Sequence, residues 1–430
     1  MMNGEQVKKK KLLMFAHYYH PDVASTGQIL KELAEGMLHA IDITVICVVP
    51  SYTGKVATEY KTKMFYKEEF NGVKIIRICV PEFSKSNKIS RIKNILVYFF
   101  GAMIATFKVG KIDYVYSISQ PPILGGLIGV LGKCIKSAKY IYNIQDFNPE
   151  QTTAVGYSKN KLILNSMMWF DKFSCKCADK VIVVGRDMIE TLKDRFKGKN
   201  VPNHVFINNW IDEKEIYPLP ADNEKVVAFK KKYGLENKFI FMYSGNIGLY
   251  YDLENLMRVI KRFKNEKDIV FAFVGEGSVR EKLVMYKEKQ GLENVLFIPY
   301  QDKADLIYSL NVGDVHWVVN AKGILGISVP SKLYGVMAAG KPVLGVLEKG
   351  SEARLIIEET GCGHVTEPGD YEGVEEIINR YIDLRNVSTI RNDSTLEDMG
   401  RQGRKYLVKS LTKEVSVKKY IKEIESCGRS

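Results

Sequence analysis

The feature that most constrains this chain is an alternation that runs, breaks and starts again. From KLLMFAHYY onward, short runs rich in β-branched and aromatic residues (ITVICVVP, VKIIRICV, YVYSIS, YIYNI, VIVVG) are separated by helical periodicity over residues 27–38, 90–109, 124–135 and 161–178. Strand and helix in regular turn call for a parallel sheet covered by helices on both faces, because a parallel crossover needs a connection long enough to be a helix. The segment VPNHVFINNWIDEKEIYPLPADNEK then interrupts the pattern with three prolines and several Asn and Asp residues, which break regular elements. Beyond it FIFMYS, IVFAFV, VLFIP, VHWVV and KPVLGV resume the alternation. The expected fold class is therefore α/β, with two tandem Rossmann-like, doubly wound domains over 1–205 and 206–395 joined by a linker within 201–225. A basic stretch over 396–430 is expected to form a terminal helix that packs back on the first domain. Open α/β sheets bind ligands beyond the carboxyl ends of their strands, so the substrate is expected in a cleft where two such edges face each other.

Charge separates the halves. Residues 1–210 hold 30 basic and 17 acidic side chains, and residues 211–430 hold 33 of each, so the whole net charge of +13 lies in the first half. Such an excess attracts nucleic acid, an anionic membrane or a phosphorylated substrate. No nucleic-acid module or interleaved ladder of aromatic and basic residues accompanies it, so no nucleic-acid partner is expected. With 430 residues, 46% of them hydrophobic, the chain can fill a large core, which excludes disorder and small disulfide scaffolds. Seven scattered cysteines are an odd number, and Cys175 and Cys177 lack a nearby histidine; free thiols in a reducing compartment are expected, with no metal site. The first apolar run is shorter than a signal peptide's, and the longest ones, over 95–107 and 121–131, fall short of the ~20 residues that span a bilayer.

Two glycine turns follow strands in the second half. Ser244, Gly245, Asn246, Ile247 and Gly248 lead from one strand into a helix, and Gly275, Glu276, Gly277 and Ser278 lead from the next into a helix carrying Arg280. Glycine lets a backbone approach an anion, and amides at a helix start point towards it; each turn alone is equally a tight strand-to-helix connection. Neither completes G-x-G-x-x-G with its distal acid, so a nicotinamide enzyme is not expected, and no cofactor is. In GISVPSKLYGVMAAGKPVLG, Pro330 and Ser331 open a helix with Lys332 in its first turn. A lysine there opposes the helix dipole, so either it is solvated or an anion compensates it.

YSGNIG, VGEG, PSKLYGVMAAGKPVLG and GSEARLIIEETGCGHVTEPGD, in that order, resemble the nucleotide-sugar half of GT-B glycosyltransferases of family 4. ADKVIVVGRDM followed by FINNWID resembles the junction of the family's halves. YHPDVASTGQILKELAEGM and YNIQDFNPEQTTAVG resemble its acceptor half, so the likeness covers almost the whole chain. Within the family the chain resembles in particular bacterial transferases that add fucose-like or N-acetylated amino sugars to surface polysaccharide precursors, O-antigen or capsule. The resemblance implies retaining transfer from a nucleotide-diphosphate sugar, a UDP-sugar favoured, to a saccharide or polyprenyl-diphosphate-linked acceptor. One departure stands out: alignment on AAGKPV puts Ile327 and Gly335 where the family has the two glutamates of its E-x7-E motif, which contact donor sugar and ribose. A charged hydrogen bond of that kind is worth about 1.5–3 kcal/mol. Glu352, after Ser351 in GSEAR, is the candidate substitute or else only a helix N-terminal acid.

The expected mechanism follows. With no D-x-D in the chain, transfer is expected to be metal-independent, with Lys332, Arg280 and the GNIG amides holding the diphosphate and Gly27 making room for it from the first domain. Asp146, just after YIYNI, is the candidate catalytic residue, as proton acceptor or ligand of an acceptor hydroxyl, unless it only caps a helix. Gln145, where many relatives have histidine, and His17 and His20, after the first strand, are candidate acceptor contacts. The basic half and the apolar helix ISRIKNILVYFFGAMIATFKVGK are expected to rest peripherally on the cytoplasmic face of an anionic plasma membrane. A non-hydrolysing nucleotide-sugar epimerase and a non-catalytic sugar-nucleotide-binding subunit are the alternatives.

Overall fold

The structure, a computed structural model, describes residues 9–22, 25–84, 87–154, 156, 158–385 and 395–428. Two compact units emerge: residues 1–209 with 413–430, and residues 210–412.

Unit 1 is built on eight strands: β1 (Lys10–Phe15), β2 (Ile41–Val48), β3 (Phe65–Phe70), β4 (Val73–Ile78), β5 (Tyr114–Ile118), β6 (Lys139–Ile144), β7 (Lys180–Val183) and β8 (His204–Phe206). Their order is β3-β4-β2-β1-β5-β6-β7-β8, all parallel except the β3–β4 hairpin. The chain moves left from β1 to β2 and right from β1's other neighbour β5 to β6, so the strand order reverses between β1 and β5. The β1, β5 and β6 residues at that reversal are buried, as near-continuous apolar runs in a two-sided parallel sheet must be.

Helix Leu124–Lys136 lies unusually close to this sheet because its inward face is glycine. A Cβ on Gly129 would stand 2.3 Å from the Tyr140 ring, and one on Gly126 would stand 2.8 Å from Ser174. The preceding helix, Lys88–Lys108, starts where the Asn87 side chain accepts from the amides of Ile89 and Ser90, a cap worth about 1 kcal/mol. It buries Asn94, Tyr98, Gly101, Ala102 and Ala105, the spacing of a single helical stripe. With 21 residues it is long and apolar enough to cross a membrane by length and composition, contrary to the shorter run expected from sequence; a third of its apolar window is buried in the unit.

Unit 2 has six parallel strands: β9 (Phe239–Ser244), β10 (Ile269–Val274), β11 (Val295–Ile298), β12 (Val315–Val319), β13 (Val343–Val346) and β14 (Gly363–Thr366). Their order is β11-β10-β9-β12-β13-β14, with the reversal between β9 and β12. Phe241, Phe271, Trp317 and Tyr381 pack together at its centre.

Three elements differ from the sequence expectation. FYKEEF forms strand β3, paired to β4 through Asn71 and Gly72, both at positive φ (49° and 83°), the Asn-Gly signature of a two-residue hairpin. HVF, inside the expected linker, pairs with β7 as edge strand β8. The single terminal helix is two: Leu396–Ser410, in unit 2, and Lys413–Ser426, in unit 1. The first opens on a capping box between Thr395 and Asp398; the second packs on helix Ser25–Met37 and closes a bond from Asn143 Nδ2 to Tyr420 Oη at 3.2 Å.

Candidate functional site

In unit 2 the register brings the two glycine turns side by side. β9 and β10 pair from Ile269↔Phe239 to Val274↔Ser244, so both strands end at one level and Gly245 and Gly275 follow together. Their positive φ values, 140° and 138°, are open to glycine and strained for other residues. Contact adds a second reason: a Cβ on Gly275 would lie 2.1 Å from the Gly245 carbonyl oxygen, and one on Gly277 would lie 2.2 Å from that of Ile247. The turns are laced by Gly245 N donating to Val274 O, Ile247 N to Glu276 O and Val279 N to Ile247 O. This corrects the expectation that the GNIG amides as a group face the diphosphate, because those of Gly245 and Ile247 are spent on neighbouring carbonyls. Asn246 lies between the turns, its side chain 2.9 Å from a Cβ built on Gly248 and 2.7 Å from one on Gly277.

Lys332 joins this pair from the far side of the reversal. Its aliphatic stem crosses Gly245 so closely that a Cβ there would stand 2.6 Å from Lys332 Cε. Its ammonium sits 3.5 Å from the centre of the Tyr251 ring and 4.9 Å from that of Tyr243. Tyr243 is held in turn by its hydroxyl donating to Asn246 O at 2.6 Å. Lys332 is half-buried, and among the described residues no carboxylate forms an ion pair with it. Ring quadrupoles attract the cation but replace little of its hydration, so loss of water pushes the lysine down from 10.5 to about 7. Pro330 and Ser331 precede it, half-buried and exposed respectively. Arg280 opens its helix with Nε 3.5 Å from Glu276 and its guanidinium 5.8 Å from the Phe297 ring.

After β13, Ser351 is buried with an Oγ that finds no partner among the described residues, and Glu352 is 2% exposed at the first position of helix Glu352–Thr360. The positions that lack the family's glutamates are apolar: Ile327 is buried, and a Cβ on Gly335 would touch Leu310 and Ile211. Sequence reasoning missed Glu348. One of its carboxylate oxygens accepts from the amides of Gly323, Ile324 and Leu325, each at 2.9 Å, and so fixes the loop that leads to Lys332. A lone glutamate before Lys-Gly in a loop gives no signal of that duty.

In unit 1 a cavity of about 210 Å³ lies at the β1/β5 reversal, lined by the loops after β1, β5 and β6 and by helix Lys88–Lys108. Asp146, His17, Gln120, Arg91, Asn94 and Asn148 supply its polar wall. Asp146 receives Gln120 Nε2 at a long 3.5 Å, and burial pushes its carboxyl up to about 6. His17 stacks between Tyr18 and Tyr98, at 4.3 and 4.8 Å. Burial pushes it down to about 4, and among the described residues its Nε2 has no partner. The segment after Asp146 is clamped by Arg195, which donates to Asn148 O and both Glu150 oxygens, pairs with buried Asp171 and covers the Phe147 ring at 4.2 Å.

Two expected acceptor residues lie elsewhere. The Gln145 amide is engaged internally, with Nε2 donating to Asn143 Oδ1 at 2.5 Å and Oε1 accepting from Asn209 at 2.7 Å. His20 stacks on Phe70 at 4.2 Å and is not among the cavity's residues. Gly27 has a local reason to be glycine, since a Cβ would come within 3.2 Å of the Tyr18 carbonyl oxygen.

Residues 225–406, the strands and both glycine turns just described, match the family of glycosyl transferases group 1. Unit 2 is a group 1 glycosyltransferase domain. The chain is 28% identical over 345 residues to WbjE of Pseudomonas aeruginosa, named a probable glycosyltransferase, covering 79% of this chain and 82% of that one. It is 26% identical over 423 residues to WcaI of Escherichia coli K12, named a putative colanic acid biosynthesis glycosyl transferase, covering 96% of this chain and 99% of that one. Among solved structures, HepE of Anabaena in complex with UDP and glucose superimposes with a TM-score of 0.69 at 12% identity, over 97% of this chain and 100% of that one. The protein carries a group 1 glycosyltransferase domain, and its two Rossmann-like halves share their fold with solved glycosyltransferases.

Proposed function

We propose that this glycosyltransferase moves a sugar from a nucleotide-diphosphate donor, UDP-sugars first among them, to a growing lipid-linked saccharide of a bacterial surface polysaccharide. The observation that carries the donor half is Lys332, a crowded ammonium with no carboxylate ion pair among the described residues, laid across Gly245 beside the second glycine turn. A diphosphate is the ligand that compensates such a cation. HepE holds UDP and WcaI is named for a polysaccharide, and both lend support to this choice of substrates.

In the proposed reaction the bond from the anomeric carbon to the diphosphate breaks, and a bond from the acceptor hydroxyl forms on the face that is vacated, with retention. Lys332 and Arg280 take up the charge that develops on the leaving diphosphate, where fixed cations in a half-dry site act most strongly and no metal is required. Gly245, Gly275 and Gly277 keep Cβ atoms out of the way. Ser244, Asn246, Gly248, Pro330, Ser331 and Ser351 line the donor, and Glu352 takes the ribose. Asp146 receives the acceptor's proton: a carboxylate with a value of about 6 is ionised at neutral pH yet more basic than usual. His17, neutral at pH 7, offers Nε2 to an acceptor hydroxyl. The protein works at the cytoplasmic face of the plasma membrane, with helix Lys88–Lys108 against the anionic leaflet.

The test is transfer by purified protein from a panel of nucleotide sugars to a polyprenyl-diphosphate-linked saccharide. Product that requires both substrates is expected. Conversion of the donor alone marks an epimerase, and nucleotide binding without transfer to any acceptor marks a binding subunit.

A further inference from the structure

Three helices of unit 1 lie side by side: Lys88–Lys108, Leu124–Lys136 and Lys161–Cys177, with the middle one packed against both others. The outer two share a property that packing does not explain. Of the twenty large apolar side chains left exposed among the described residues, eleven stand on these two helices, including Ile89 at 79%, Phe107 at 68%, Leu162 at 79% and Trp169 at 62%. On the second helix Trp169 and Phe173 stack in parallel, 5.9 Å between centroids, with Phe170 edge-on to Trp169. Side chains at this exposure gain nothing from the fold and invite an apolar neighbour.

The charges say which neighbour. The three helices carry nine basic residues and one acid, Asp171, and that acid is buried against Arg195. Protruding aliphatic and aromatic tips between lysines and an arginine are the composition of a surface that enters the boundary of anionic lipid. A second copy of this chain would set like charge against like across the same face.

We infer that this face lies on an anionic bilayer, with the aromatic patch of helix Lys161–Cys177 as a footing separate from helix Lys88–Lys108. This rests on the peripheral placement proposed above and adds its second contact. Trp169 is the reporter, since Trp210 and Trp317, the other two tryptophans, are buried. Full-length protein is floated with phosphatidylglycerol vesicles and with phosphatidylcholine vesicles, without donor or acceptor, while tryptophan emission is recorded. The expected result is binding to the anionic vesicles, weakened by salt, with a blue shift that Trp169→Phe removes. Trp169→Gln with Phe173→Gln should cut vesicle binding at least tenfold and leave transfer to a water-soluble acceptor unchanged. Anionic vesicles that fail to bind, binding that leaves Trp169 in water, or a lipid-independent dimer that buries Trp169 would each overturn the proposal. None of these results bears on whether the protein transfers sugar.

Discussion

Raising the pH from 7 to 9 should cost the complex with a UDP-sugar about 50-fold in affinity. In the free protein Lys332 holds its proton with a value of about 7, so it is half charged at pH 7 and about 1% charged at pH 9. A diphosphate in contact with the ammonium returns it to the ordinary 10.5, and the bound form stays charged throughout. The complex must then take up about 0.9 proton at pH 8 and about 0.5 at pH 7. A UDP-sugar is the right probe, because its diphosphate is esterified at both ends and does not itself titrate in this window. Calorimetric titration in buffers of different ionisation enthalpy reads the uptake directly. Lys332→Met should abolish it and weaken binding at pH 7 by about a thousandfold, because a rise from about 7 to 10.5 on binding is worth about 4.8 kcal/mol and only half of the free lysine is already charged at that pH. Binding that is flat from pH 7 to 9 and takes up no proton would refute the assignment of Lys332 to the diphosphate.

Other consequences follow from the same contacts. Asp146→Asn should lower kcat at least 100-fold and remove a rise in rate centred near pH 6. It should also stabilise the fold by about 1–3 kcal/mol at pH 7, because a carboxyl whose value is raised in the folded state stabilises only while protonated and loses that contribution as pH rises through about 6; Tm measured at pH 4 and pH 7 checks the sign. Gly245→Ala, strained in φ and pressed against the Lys332 stem, should lose donor binding tenfold or more while circular dichroism stays native. Arg195→Met, which leaves Asp171 and Glu150 without their cation, should cost about 3–5 kcal/mol in denaturant unfolding. Transfer should survive a chelator; loss restored by magnesium would end the metal-free mechanism.

The strand-and-helix alternation was legible because parallel strands buried on both faces read as apolar runs, and the glycine turns because they sit directly behind two of those runs. The Asn-Gly turn at 71–72 is equally legible, whereas the three charges of FYKEEF hide the strand before it. His204–Phe206 was hidden by its prolines and its shortness. What no linear pattern carries is which distant residues meet. Lys332 and Gly245 are 87 positions apart, and only the fold makes the lysine's stem the reason for the glycine. Gln145 follows the strand beside Asp146, yet one residue of difference turns it inward to Asn143 and Asn209. His20 looks like His17 in sequence, and a single neighbouring ring, Phe70, separates their fates.

The decisive measurement is a crystal structure of the protein with a UDP-sugar at pH 7. The account predicts the β-phosphate within hydrogen-bond reach of Lys332 Nζ, over the paired glycine turns of unit 2. Density for the nucleotide away from those turns, with Lys332 still resting alone on Tyr251, would contradict it.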